Sequence, residues 1–330
     1  MRVTFSLFPW DIDGDPAAAA WLAGRGVDQV ALAATYHATR AATPRHPAHR
    51  IVHVDQSASY LEDPGPLPRG DASYERARDG LTRAGVRVSA WVVLGHVEGA
   101  RPDIPRVVDA FGTVSRHAIC LRSPEALDFA VATLQSVARA GSDRVVVEGA
   151  SWSNLGHASL HDKTTAANLD VEALSWCLCP RCATAADADP AQVRAALRCH
   201  ATIPADTADR VRSARSDAAN SFRSRVLQEA TASGISDVLF HPDPDQLAPL
   251  GHTLADAWQN TASAVAQLRD AAAHGAYVTI LNDPAPTATE LTDAWAALQA
   301  AGANELLVYH AGLASTSRLD AALTAVKGIS

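Results

Sequence analysis

The 330-residue chain is 48% hydrophobic and carries a formal net charge of −8, with no run of Lys or Arg. This length and apolar content suffice for the core of one large α/β barrel or of two smaller domains, and the acidic balance excludes a surface built for nucleic-acid phosphates. No stretch reaches the roughly 18 consecutive apolar residues of a membrane span, because Asp and Arg interrupt even the Ala-rich runs.

The N-terminal "MRVTFSLFPWDIDGD" has one Arg and a short apolar run ending at Pro9 and Asp11, without the apolar length and cleavage site of a signal peptide. It reads as a first strand, over 3–8. Further strands are expected at 28–34, 87–93, 144–148, 236–240, 277–281 and 305–309, with helices at 16–25, 72–84, 124–140, 206–232, 256–274, 287–301 and 317–327. Gly26, Gly85, Gly141, Gly234, Gly275 and Gly302 each follow a helical run and read as the residue just past its end.

Alternating strands and helices of this kind define a parallel sheet with helical crossovers. No Gly-x-Gly-x-x-Gly follows the first strand and no Walker-type loop occurs, which removes the usual signature of a nucleotide-binding open sheet. The expected fold is a single (β/α)8 TIM barrel over 1–330, with an eighth strand hidden in 246–255 and an open doubly wound sheet as the alternative. The loops after strands 2, 3 and 4 (35–71, 94–123 and 149–205) are the longest, and the last carries an inserted helical, metal-binding segment. Barrel chemistry sits at the C-terminal ends of the strands, so the pocket is expected beneath these loops.

The chain is expected to be soluble and cytoplasmic, where thiols stay reduced and clustered cysteines bind metal more often than they form disulfides. Three of its five cysteines fall within "WCLCPRC", as Cys177, Cys179 and Cys182. A turn can aim three such thiolates at one tetrahedral Zn²⁺, and the fourth ligand must come from elsewhere: Cys120, Cys199 or His200. Four protein ligands leave no open position, which makes the zinc structural.

"SRHAICLRSPEAL" (115–127) and "CLCPRC" (177–182), flanking a strand that ends in Glu148, resemble family 42 glycoside hydrolases, the barrel β-galactosidases. In those enzymes one cysteine before a Ser-Pro and a later C-x-C-x-x-C hold a structural zinc near the active-site mouth. The resemblance implies Cys120, Cys177, Cys179 and Cys182 as ligands, with Cys199 left out. "YHATRAATPRHP" (36–47) and "EGASWSNLGHASLHDK" (148–163) further resemble a wider group of glycosidase-like bacterial barrels. The likeness by motif covers about residues 1–185.

The resemblance also implies a retaining glycosidase acting on a small glycoside, with Glu148 as acid/base after strand 4 and Asp283 as nucleophile after strand 7. In that mechanism one carboxyl protonates the leaving oxygen while the other, about 5–5.5 Å away, attacks the anomeric carbon. The chain departs from the family twice: Val147 stands where the family has Asn, and Asp283 where it has Glu. Asp-Pro at 283–284 is also an ordinary turn after a strand.

Strand-end positions supply further candidates for holding a sugar. Trp10, Trp91 and Trp152 could stack on a ring or fill the core. Tyr36, His37, His157, His161, His241, Tyr309 and His310 could bond its hydroxyls. "HASLHD" (157–162) lacks the glutamate of HE-x-x-H, so zinc-protease chemistry is not indicated. Two rival classes stay open. A metal-dependent sugar isomerase or epimerase would gather Glu148, Asp243 and Asp283 with histidines such as His96, and a non-catalytic carbohydrate-binding barrel would keep the pocket without the chemistry. Ala-rich outer helices are compatible with a homo-oligomer.

Overall fold

Eight strands pair in parallel, each with its neighbours in the chain, and the last closes on the first. The strands are β1 (Arg2–Leu7), β2 (Gln29–Ala33), β3 (Arg87–Val93), β4 (Arg144–Glu148), β5 (Asp237–Phe240), β6 (His252–Asp256), β7 (Gly275–Thr279) and β8 (Glu305–Tyr309). The main helices are α1 (Ala18–Gly24), α2 (Tyr74–Arg83), α3 (Pro124–Arg139), α4 (Ala205–Ala232), α5 (Thr261–Arg269), α6 (Ala288–Ala300) and α7 (Thr316–Gly328). The molecule is a (β/α)8 barrel, as its alternating pattern predicts. This computed structural model describes every residue except 100, 153–168, 243–251, 259, 271–272 and 330.

The expected elements hold within a few residues except around β6 and β7. The hidden strand is β6, and it ends at Asp256, where a helix was expected to begin; that helix, α5, starts only at Thr261. Gly275 is no helix cap. It opens β7, and a Cβ there would collide with the carbonyl oxygen of Glu305 on the neighbouring strand. The glycine serves close strand approach, and the strand lies two residues earlier than its β-branched run suggests. Gly26, Gly85, Gly141, Gly234 and Gly302 do take the left-handed conformation expected past a helix end.

The side-chain alternation of a strand sends Arg144 and Glu148 of β4 to the same face, one at each end of the barrel. At the lower end Arg144 donates to Asp237 at 2.7 Å and to Glu305 at 2.5 Å, and the Thr4 hydroxyl also donates to Glu305, at 2.7 Å. A buried carboxylate is tolerable there because a cation and a hydroxyl satisfy it.

The long loops have structure of their own. The β2 loop carries a hairpin pairing Thr39–Ala42 with Ile51–Val54, and the β3 loop one pairing Arg106–Val108 with Val114–Ile119. The β4 loop carries short helices at Val171–Leu174, Pro180–Ala186 and Pro190–Arg198. These helices pack with the first half of α4 around a separate apolar cluster that includes Trp176, Leu178, Val193 and Val211. No described helix is long and apolar enough to cross a membrane.

Candidate active site and cysteine cluster

Glu148 ends β4 with its side chain about one-fifth exposed (21%), at the mouth of the barrel. Trp91 of β3 donates its indole N–H to Glu148 Oε2 at 3.0 Å, and His241 Nδ1, just past β5, stands 4.0 Å from the same oxygen. Burial pushes the Glu148 carboxyl up to about 7, against the Trp91 hydrogen bond, which favours the charged form. Burial also holds His241 down at about 3, so its imidazole is neutral and offers Glu148 no counter-charge at neutral pH.

Aromatic rings build the wall around this carboxyl. Tyr36 meets Trp91 edge-on at 5.0 Å, Tyr277 lies 4.5 Å from the His241 ring, and Trp258 contacts both Tyr277 and Tyr309, at 5.2 and 5.0 Å. Burial raises the hydroxyl pKa of all three tyrosines, Tyr309 to about 12, and the charge of Glu148 adds to the rise in each. The three phenols therefore stay protonated and can donate hydrogen bonds within reach of one acidic group. Low dielectric, a poised proton and several donors together suit general acid–base work on an oxygen-rich ligand.

Of the residues expected at the site from sequence, Glu148, Tyr36, Trp91, His241 and Tyr309 come together here. Trp10 and His310 form a second layer, each stacked on Phe8, at 4.5 and 4.3 Å, and both are buried. Phe8 in turn stacks on Trp91 at 5.8 Å. His37 stacks on Tyr36 at 4.2 Å, on the side of the β2 loop. Trp152 is elsewhere: it is 1% exposed, donates to the Arg215 carbonyl at 2.9 Å, and packs beside Cys177 and Cys182. It is a core residue of the inserted segment, not a platform for sugar. Asp283 is exposed in the loop after β7. His157, His161 and Asp243 lie outside the described residues.

Sequence reasoning missed Tyr277, Trp258, Asp256 and Asp11. Tyr277 was placed at the start of a strand instead of its middle, and Trp258 and Asp256 fell inside an expected helix. Asp11 carried a readable signal, a carboxylate just past the first strand. Its Oδ2 accepts the Phe8 N–H at 2.8 Å, and burial pushes it up to about 7. It borders a cleft of about 250 Å³ shared with Trp21, Arg45 and His46.

The cysteines form a distinct centre. Cys120 follows the β3-loop hairpin, just before the Ser123 cap of α3, while Cys179 caps the Pro180–Ala186 helix and Cys182 sits in its first turn. The Cys120 sulfur is 3.5 Å from that of Cys182 and 3.9 Å from that of Cys179, and all four sulfurs, with Cys177, lie within 4.8 Å of one another. The Leu178 N–H donates to the Val108 carbonyl at 2.7 Å, joining the same two loops. Sharing of protons by hydrogen bonding lowers Cys177 and raises Cys120 and Cys182. Four convergent sulfurs, three of them buried, can hold a metal. Cys199 is exposed and outside the group.

No protein-family model matches the chain, and no curated protein matches its sequence. Solved structures with a similar fold include glycosidases. One is the β-galactosidase from the psychrophilic Marinomonas ef1, 11% identical, with 99% of this chain and 59% of that one covered and a TM-score of 0.57. Another is the β-galactosidase from Bacillus circulans sp. alkalophilus, 10% identical, covering 99% of this chain and 55% of that one at 0.56. A third is the catalytic domain of β-amylase from Paenibacillus polymyxa, 9% identical, covering 100% and 98% at 0.52. The chain spans a little over half the length of the two β-galactosidases. At these identities the likeness establishes the barrel fold that these glycosidases share.

Proposed function

We propose that the chain is a glycoside hydrolase-like enzyme, related to the family 42 barrels, with Glu148 as general acid/base. The observation that carries this reading is the placement of one carboxyl at the C-terminal end of β4, inside an aromatic wall that pushes it up to about 7. A carboxyl poised near the working pH keeps a proton to give and, once ionised, can take one back. The tyrosine hydroxyls and the neutral His241 suit the hydroxyls of a small carbohydrate.

In the retaining sequence a second carboxylate attacks the anomeric carbon as the glycosidic bond breaks, and the proton of Glu148 passes to the leaving oxygen. Glu148, now ionised, then takes a proton from the water that releases the sugar and frees the second carboxylate. Two carboxylates follow or close neighbouring strands, Asp283 after β7 and Asp256 on β6. Asp283 has the position that the family resemblance implies, and it is exposed. Asp256 closes β6, and Tyr277 feels the charges of Asp256 and Glu148 together. That shared neighbour favours Asp256.

For the cysteine cluster we propose a structural zinc held by Cys120, Cys177, Cys179 and Cys182. Zn–S bonds of about 2.3 Å in a tetrahedron set sulfur–sulfur edges of about 3.8 Å, close to the 3.5 and 3.9 Å separations. The ion would clip the β3 and β4 loops together beside the mouth and outside the reaction.

A panel of aryl glycosides tests the enzyme reading. We expect hydrolysis of at least one, loss of that activity in Glu148→Gln, and azide rescue of Asp256→Gly but not of Asp283→Gly. Sugar binding without any hydrolysis would replace the enzyme with a carbohydrate-binding barrel. Rescue of Asp283→Gly instead would return the nucleophile to the loop after β7.

A further inference from the structure

A second group of metal-ligating side chains lies apart from the cysteines, on the loops after β2 and β3. His37 follows β2, while His96 and Glu98 follow β3, and one ligand atom from each lies within 4.8 Å of the other two. We propose that His37, His96 and Glu98 bind a divalent transition-metal ion at the rim of the barrel mouth.

Several features of the group suit a cation. His37 Nδ1 donates to the Ala38 carbonyl at 2.8 Å, and a carbonyl can only accept, so the lone pair of this imidazole is on Nε2. Backbone anchoring of the distal ring nitrogen is how metal-binding histidines are commonly oriented. His96 Nε2 stands 3.8 Å from Glu98 Oε1. That is too long for a hydrogen bond and within the range of two ligands around one ion. The His96 side chain is 10% exposed and that of Glu98 32%, so the donors are largely shielded from water.

The rings of His37, His96 and His117 also form a column with spacings of 4.2 and 4.5 Å. Rings this nearly parallel cannot both aim in-plane lone pairs at one ion, so binding would turn one imidazole out of the column. Two imidazoles with one carboxylate select Zn²⁺, Co²⁺ or Ni²⁺ over the harder Mg²⁺ and Ca²⁺. Three protein ligands would leave a tetrahedral ion one position for water or a ligand oxygen, unlike the closed four-sulfur cluster.

The location gives the site a consequence for the pocket. His37 stacks on Tyr36, Tyr36 lies against Trp91, and Trp91 holds Glu148. An ion here would belong to the wall of the mouth on its β2 and β3 side. The inference stands whether or not the barrel hydrolyses glycosides.

Cobalt titration of the full chain, stripped with a chelator and reloaded with Co²⁺ alone, tests it. Thiolate-to-cobalt charge-transfer bands mark the cysteine cluster, and an imidazole–carboxylate site lacks them. We expect two ions per chain. Glu98→Gln and His37→Ala should each weaken the ion without thiolate bands by at least about 100-fold, and leave the thiolate-marked ion in place. Cys179→Ser should do the reverse. That persisting thiolate signal also reports that the His37 and Glu98 variants are folded. Cobalt bound only with the thiolate signature, or a second ion unmoved by Glu98→Gln, would overturn the site.

Discussion

β4 carries a charged residue on the barrel's interior face at each of its ends, and the two ends are treated in opposite ways. At the lower end the buried Glu305 of β8 receives the guanidinium of Arg144 at 2.5 Å and the Thr4 hydroxyl at 2.7 Å. At the upper end, among the described residues, Glu148 receives one indole N–H and lies beside aromatic rings, and its pKa rises to about 7. Both carboxyls cost desolvation free energy on folding. Among the described residues, only the lower one is offset by a cation. A carboxyl with a raised pKa at the end where barrel loops converge is what the proposed acid/base role calls for, whereas the paired one contributes to the fold.

Exchanging the carboxyls for amides should separate the two roles. Glu148→Gln is expected to cut hydrolysis of a responsive aryl glycoside by about 10²–10⁴-fold and to leave thermal stability at neutral pH unchanged or raised, since it removes an unpaired acid. Glu305→Gln should do the opposite, destabilising the fold by about 3–5 kcal/mol in denaturant titration because Arg144 loses its buried partner. Equal stability losses in both variants would erase the distinction.

The cysteine cluster sharpens the same comparison from outside the barrel. Cys179→Ser should lower the melting temperature by on the order of 5 °C, the shift that roughly 2 kcal/mol produces in a large domain. Activity per folded molecule should be retained. A Cys179→Ser variant that melts as the wild type does would remove the clip from the account.

The pH dependence follows from the direction of the Glu148 shift. The acid form must be present to protonate the leaving group, so kcat/KM should fall as pH rises through about 7. Because the folded pKa lies above the unfolded value near 4.5, the proton stabilises the fold fully below that value, and the contribution is lost as pH climbs toward 7. The smallest effect is expected from Trp91→Phe, which removes an indole hydrogen bond that favours the charged form. It should move the alkaline limb upward by less than about one unit.

Most of the barrel was legible in the sequence because hydrophobic period and helix-ending glycines agree along the chain. Ser123-Pro124 marks the start of α3, and the Ser123 hydroxyl accepts the Ala126 N–H there at 3.1 Å. Reading failed where one residue type serves two ends. Gly275 looks like the end of a helix and is the start of a strand, because what it must accommodate is the Glu305 carbonyl of a neighbouring strand. That error displaced Tyr277 from the site.

Glu148 was readable from its place at the end of "RVVVE", and the four-cysteine group from spacing joined to a family resemblance. The companions of Glu148 were only partly readable. Trp258 and Asp256 reach the mouth through strand closure, and the grouping of His37, His96 and Glu98 depends on two loops folding over the same rim. Contacts across the barrel leave no periodic trace in one sequence.

The most direct test is the ionisation of Glu148 itself, followed as the carboxyl infrared band that is present in the wild type and missing from Glu148→Gln. A titration midpoint near 7 is the result expected for a carboxyl poised by its aromatic enclosure. A midpoint near the ordinary 4.5 would mean that water or a cation compensates it as Arg144 compensates Glu305, and the mouth would then lack its acid.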